Sequence, residues 1–185
     1  NDDIINDLIS SGLKGRGGAG FPTGLKWKLT ADAKGPEKFV ICNADEGEPG
    51  TFKDREILVR VPEKVLTGMT ICGRVIGAKQ GFIYLRGEYK FLLPQIEATI
   101  EEFHLMLDKL GNPFRISVFL GSGAYICGEE SALFESMQGD RGELRSQLSV
   151  FRLLRERLGP VEREVEVAAA VVDLADLARG RLVGV

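Results

Sequence analysis

Apolar residues recur at helical spacing over residues 2–11 (Ile4, Ile5, Leu8, Ile9), with Asp2 and Asp3 at the start and Gly12 as a stop. Three short, nearly continuous apolar runs follow: Lys38 to Cys42, Phe82 to Arg86 and Ile116 to Leu120. Such runs suit strands buried on both faces. Between them, Pro62 opens a predicted helix through Ala78 with Val65, Leu66, Met69, Cys72, Val75 and Ile76 on one face. Glu88 to Leu110 reads as another helix, ended by Gly111-Asn-Pro113. Strands alternating with helices predict an α/β fold, a Rossmann-like layered domain with a short parallel sheet flanked by helices. From Arg141 the chain has eight arginines and no lysine. There Leu148, Phe151, Leu154 and Leu158 suggest a helical face, and Val165 to Ala178 forms a second apolar stretch. The expected organisation is an α/β domain over residues 1–145 and a divergent helical C-terminal tail over residues 146–185.

Composition narrows the classes. At 185 residues the chain can bury one real core. A formal charge of −3 gives no reason to expect nucleic acid or an anionic membrane. No apolar run reaches the ~20 residues of a membrane span, so direct membrane insertion is not expected. Cys42, Cys72 and Cys127 include no C-x-x-C pair, each lies in an apolar stretch, and buried thiols in a reducing compartment are the expectation.

Three polar segments carry the candidate chemistry. In the first, Gly15-Arg-Gly-Gly-Ala-Gly20, five of six residues have a methyl group or nothing for a side chain, with Lys14, Lys26 and Lys28 nearby. Close-approach backbone with fixed cations suits a phosphate. The run satisfies G-x-G-x-x-G, but a helix rather than a strand precedes it, which argues against an ordinary dinucleotide turn. The second, Asn43-Ala-Asp-Glu-Gly-Glu-Pro-Gly50, leaves a strand at its carboxyl end, where open α/β sheets bind ligands. The third, Gly121 to Ser131, places Glu129 and Glu130 in a first helical turn, suited either to the helix dipole or to a ligand. Together they suit a nucleotide-type cofactor. Phe21 and Trp27 offer stacking surface or are core aromatics. The single histidine, His104, lies away from every motif and reads as a surface or packing residue, which disfavours a His-dependent triad. A carboxylate metal site at Asp45, Glu46 and Glu48 lacks a recognised spacing.

Ser11-Gly-Leu-Lys-Gly-Arg-Gly-Gly-Ala-Gly-Phe-Pro-Thr-Gly-Leu-Lys-Trp27 resembles the signature of the flavin-binding subunit of respiratory complex I. Diaphorase subunits of NAD-reducing hydrogenases and NAD-dependent formate dehydrogenases share that family. Ile41 to Arg55, Arg86-Gly-Glu-Tyr89 and Gly123 to Leu133 are similar to its second, third and fourth motifs. The resemblance implies an oxidoreductase module passing a hydride from NADH to FMN, without a side-chain acid or base. It implies FMN contacts from Gly15, Arg16, Gly17, Lys26, Asn43, Asp45, Gly128 and Glu129. Phe21 would stack on the NADH base; Gly18, Glu48 and Glu130 would help place the dinucleotide. The implied partners are iron–sulfur subunits of a multi-subunit dehydrogenase, in the cytoplasm or peripheral on the inner face of the respiratory membrane.

Beyond Arg145 the family's Lys-Pro-Pro-Phe-Pro segment and Asn-Asn motif are absent, as is the domain carrying its [4Fe–4S] cluster. The expectation is therefore a truncated or rearranged member that does not itself ligate the cluster. The alternative is a non-catalytic remnant or nucleotide-binding assembly module of the same fold.

Overall fold

A computed structural model of the chain describes residues 1–16, 20–34, 37–121 and 167–173. Helix α1 (Asp2–Ser10) leads through the glycine loop into α2 (Thr23–Asp32) and then strand β1 (Glu37–Ala44). Two helices, α3 (Lys53–Arg60) and α4 (Pro62–Ile76), return the chain to β2 (Gln80–Leu85). A 3₁₀ segment, Gly87–Leu92, and α5 (Leu93–Lys109) connect to β3 (Arg115–Leu120), and β4 is Val167–Asp173.

The four strands form one sheet in the order β3-β2-β1-β4, every neighbouring pair parallel. Register is continuous, with Ile41 opposite Phe82 on one side and Val171 on the other. Phe39 to Cys42 are all buried, as a strand inside a covered parallel sheet requires. The predicted face of α4 packs into the core through all six of its apolar residues. Phe114 fills the gap between α4 and β2: a Cβ on Gly73 or Gly81 would lie 2.5 or 2.9 Å from its ring.

Three local expectations change. The predicted 88–110 helix divides, because Pro94 lacks an N–H and sits in the first turn of α5 rather than inside a longer helix. Helix α2 carries no clear periodicity and α3 is short and mostly charged, so both emerge only in the structure. The expected helical tail is corrected at Val167–Asp173, which is a strand hydrogen-bonded to β1. An Ala/Val run this short fits either state locally, and the open edge of β1 decides it.

Candidate functional site

Strand order places the site. Connections β1→β2→β3 run outward on one side of β1, while β4 lies on its other side. The switch point of this sheet is thus between β1 and β4, and ligands of open parallel sheets bind outside the carboxyl ends there. Asn43 and residue 173 face each other in register at that edge, and Leu85 and Leu120 end the neighbouring strands level with Ala44.

Asn43 and Asp45 leave the end of β1. The Asn43 side-chain oxygen accepts the Asp45 N–H at 3.0 Å, which turns the chain sharply out of the strand. Asp45 Oδ2 is buried and has no hydrogen-bond partner among the described residues. Burial pushes the Asp45 carboxyl up to about 6, Arg86 opposing and Glu88 reinforcing the shift. A buried acceptor without a donor is unfavourable unless something supplies one.

Glu46 is buried, at 5% exposure. Both its carboxylate oxygens accept the Asp54 N–H at 3.2 Å, and Oε2 also accepts the Tyr89 hydroxyl at 3.0 Å. It serves the amino end of α3, where Phe52 at the cap position supplies no side-chain acceptor. Arg86 donates through Nη1 to the Glu46 carbonyl and through Nη2 to Glu88 at 2.7 Å. That pairing draws the Glu88 carboxyl down to about 2. Glu48 is exposed on the next bend.

The glycine loop closes on itself. Lys14 and Pro22 form an antiparallel bridge, Gly15 N–H donates to Phe21 at 2.9 Å, and Thr23 N–H to Leu13 at 3.0 Å. Gly20 has φ +61°, a left-handed value that suits glycine. Arg16 is exposed; Lys26 Nζ stands 5.7 Å from the centre of the exposed Phe21 ring. Trp27 is a core residue at 3% exposure, so only Phe21 of the two aromatics offers a free face.

The structure thus brings Asn43 and Asp45 together at the switch point and holds Gly15, Lys26 and Phe21 around the glycine loop. Gly17, Gly18, Gly128, Glu129 and Glu130 lie outside the described residues. Among the described residues, no group of three His, Cys, Asp or Glu could hold a metal ion. His104 Nε2 accepts the Ile116 N–H at 3.0 Å, the packing role expected of it. Sequence reasoning gives Arg86 and Tyr89 no role of their own within their motif; an arginine and a tyrosine just beyond a buried strand are the available signal.

A parallel α/β sheet with polar loops at its switch point is the doubly wound class of architecture, in which ligands bind at that edge. The sequence profile of the family described as the Nuo51 FMN-binding domain matches residues 8–172, and the chain belongs to that family. The match runs to residue 172, within β4 and well beyond Leu133, where the fourth motif ends. The chain is 50% identical over 151 residues to the NAD-reducing hydrogenase HoxS subunit alpha of Cupriavidus necator, covering 78% of this chain and 25% of that protein. It is 46% identical over 150 residues to a subunit of the NADH-quinone oxidoreductase of Rhizobium meliloti, covering 78% of this chain and 36% of the relative. A crystal structure of an NAD⁺-reducing [NiFe]-hydrogenase in the H2-reduced state superposes with a TM-score of 0.82 at 42% identity, over 96% of this chain and 30% of that one. The chain therefore spans about a quarter to a third of the length of these relatives.

Proposed function

We propose that this chain is the flavin-holding part of an NADH-oxidising module, the observation carrying that reading being the buried Asp45 oxygen at the end of β1, unpartnered among the described residues. FMN fits that site chemically. Its ring N–H and ribityl hydroxyls are donors of the kind Asp45 lacks, and its phosphate suits Arg16, Lys26 and the N–H groups of the glycine loop. Residues Gly15, Gly17, Gly128 and Glu129 complete the proposed flavin contacts. Phe21, exposed on the loop, provides a face for the NADH base, with Gly18, Glu48 and Glu130 placing the rest of the dinucleotide.

When bound, FMN supplies a ring that accepts a hydride and gives electrons onward singly. The chain's contribution is orientation. Asn43 and Asp45 hold acceptors at fixed positions, the loop cations balance phosphate charge, and no protein group has to exchange a proton with the nicotinamide carbon. The proposed recipients are iron–sulfur subunits of a larger dehydrogenase. Among the described residues, no helix is long and apolar enough to cross a membrane.

The test is to add FMN to the purified chain and titrate with NADH anaerobically while following the flavin absorbance band. Retained flavin that bleaches faster than a free-FMN control is the expected result. Flavin that washes away would favour a non-catalytic remnant, and flavin retained but not reduced would put the fault in dinucleotide binding.

A further inference from the structure

We infer that Glu46 is a positioning residue: its buried carboxylate clamps the loop after β1 between the amino end of α3 and Tyr89, holding Asp45 and Glu48 at the open edge. The inference rests on the functional reading above. The loop from Asp45 to Phe52 carries proposed cofactor contacts but no regular structure of its own. Left alone it would open easily, since loops with few buried contacts lie at the low-stability end of a fold.

Three observations show what holds it. The Glu46 carboxylate reaches across the loop to the Asp54 N–H, which ties the loop's start to the helix that follows it. The Tyr89 hydroxyl ties the same carboxylate to the segment after β2. Arg86, next to that strand's end, binds the Glu46 carbonyl and so fixes the peptide from the other side. Neighbouring residues on this loop therefore divide the work: Glu46 faces in and is satisfied, while Asp45 keeps an oxygen that no described residue supplies with a donor. Turning Glu46 outward would leave the Tyr89 hydroxyl and the α3 amino end without this acceptor, which fixes the side Asp45 and Glu48 take.

Tyr89→Phe removes one hydroxyl and leaves the ring, which packs edge-on against Phe91 at 6.3 Å. The first readout needs no cofactor. Hydrogen–deuterium exchange of residues 45–56 in the ligand-free chain should rise about tenfold, the factor given by losing about 1.4 kcal/mol of local protection. The second is read in the FMN-loaded chain: KM for NADH should rise about tenfold through Glu48 and FMN affinity should fall through Asp45, with kcat at saturating FMN within about twofold. Glu46→Gln, which keeps one acceptor for the Asp54 N–H, should fall between wild type and Tyr89→Phe, and serves if the latter fails to fold. Phe114→Leu, packed between α4 and β2 away from this loop, supplies the control for general destabilisation.

Unchanged exchange over 45–56 would overturn the clamp. So would raised exchange with wild-type KM, or an equal KM rise in Phe114→Leu. A wild-type chain that holds FMN but never reacts with NADH would sink the functional reading instead, while the exchange measurement still decides the clamp.

Discussion

Replacing Asp45 by asparagine should strengthen the ligand-free chain at neutral pH and weaken its hold on flavin. Burial holds the Asp45 carboxyl at about 6, against an ordinary value of 3.8. Between roughly pH 4 and 6 the folded chain then binds more protons at this site than the unfolded chain does, so stability falls as pH rises through that window. At 1.36 kcal/mol per pH unit the displacement corresponds to about 3 kcal/mol. One oxygen is fully enclosed but the side chain as a whole is only half-buried, and solvent screening reduces the effect to about 1–2 kcal/mol. An asparagine there cannot ionise. Urea denaturation without flavin should therefore show the variant more stable than wild type by about 1–2 kcal/mol at pH 8, with the gap closing by about pH 3.5. A ligand donor would favour the carboxylate, so wild-type FMN affinity should fall more steeply below about pH 6 than the variant's, in which only the flavin phosphate (second pKa about 6) titrates there. A stability gap that does not change with pH, or an asparagine variant weaker at pH 8, would refute the reasoning.

Other consequences follow from single contacts. Gly24→Ala would set a Cβ 2.7 Å from the Ile9 backbone nitrogen across the α1–α2 crossing. The gain in helix propensity, about 1 kcal/mol, is outweighed there, and a net loss of about 1–3 kcal/mol in urea denaturation is expected; no loss would mean the helices separate without penalty. The neutral His104 ring accepts the Ile116 N–H, and burial lowers its pKa below 6.5, with Arg115 in support and Asp108 opposing. Its stabilisation is present above pH 6.5 and lost as pH falls below it, so Ile116 amide exchange, corrected for intrinsic rate, should quicken in mild acid; His104→Leu should abolish that pH dependence. Lys26→Met should weaken FMN binding by about tenfold or more, charge-assisted bonds being worth about 1.5–3 kcal/mol. Unaltered affinity by fluorescence titration would remove Lys26 from the phosphate site.

Much of the fold is legible because its core elements have clean periods. In α4 all six predicted apolar residues are buried, and Phe39 to Cys42 of β1 read as an uninterrupted apolar run. Helix α2 escapes detection because it buries Thr23, Gly24, Trp27 and Thr30 while Leu25 and Leu29 stay exposed. Its inner face is chosen by close approach to α1, not by hydrophobicity. Helix α3 is only eight residues long and mostly charged, burying Asp54 and Leu58, too short a window for its period to stand out. In the site, Asn43 and Asp45 are visible as polar residues at a strand's end, whereas nothing local distinguishes the buried Glu46 from the exposed Glu48.

Residue chemistry along the chain is enough for a parallel α/β class, for the glycine loop with its cations and for a ligand edge after β1, since each is a matter of neighbours a few residues apart. Tertiary structure decides that Val167–Asp173 is a strand, because only the unpaired edge of β1 makes that run extended. It also decides that Glu46 is bound inward while Asp45 keeps an oxygen unpaired among the described residues, because the donors concerned, Asp54 N–H, Tyr89 and Arg86, arrive from 8 to 43 residues away. Hydrogen-bond satisfaction across such separations has no period to read, and it is what gives this edge of the sheet its chemistry.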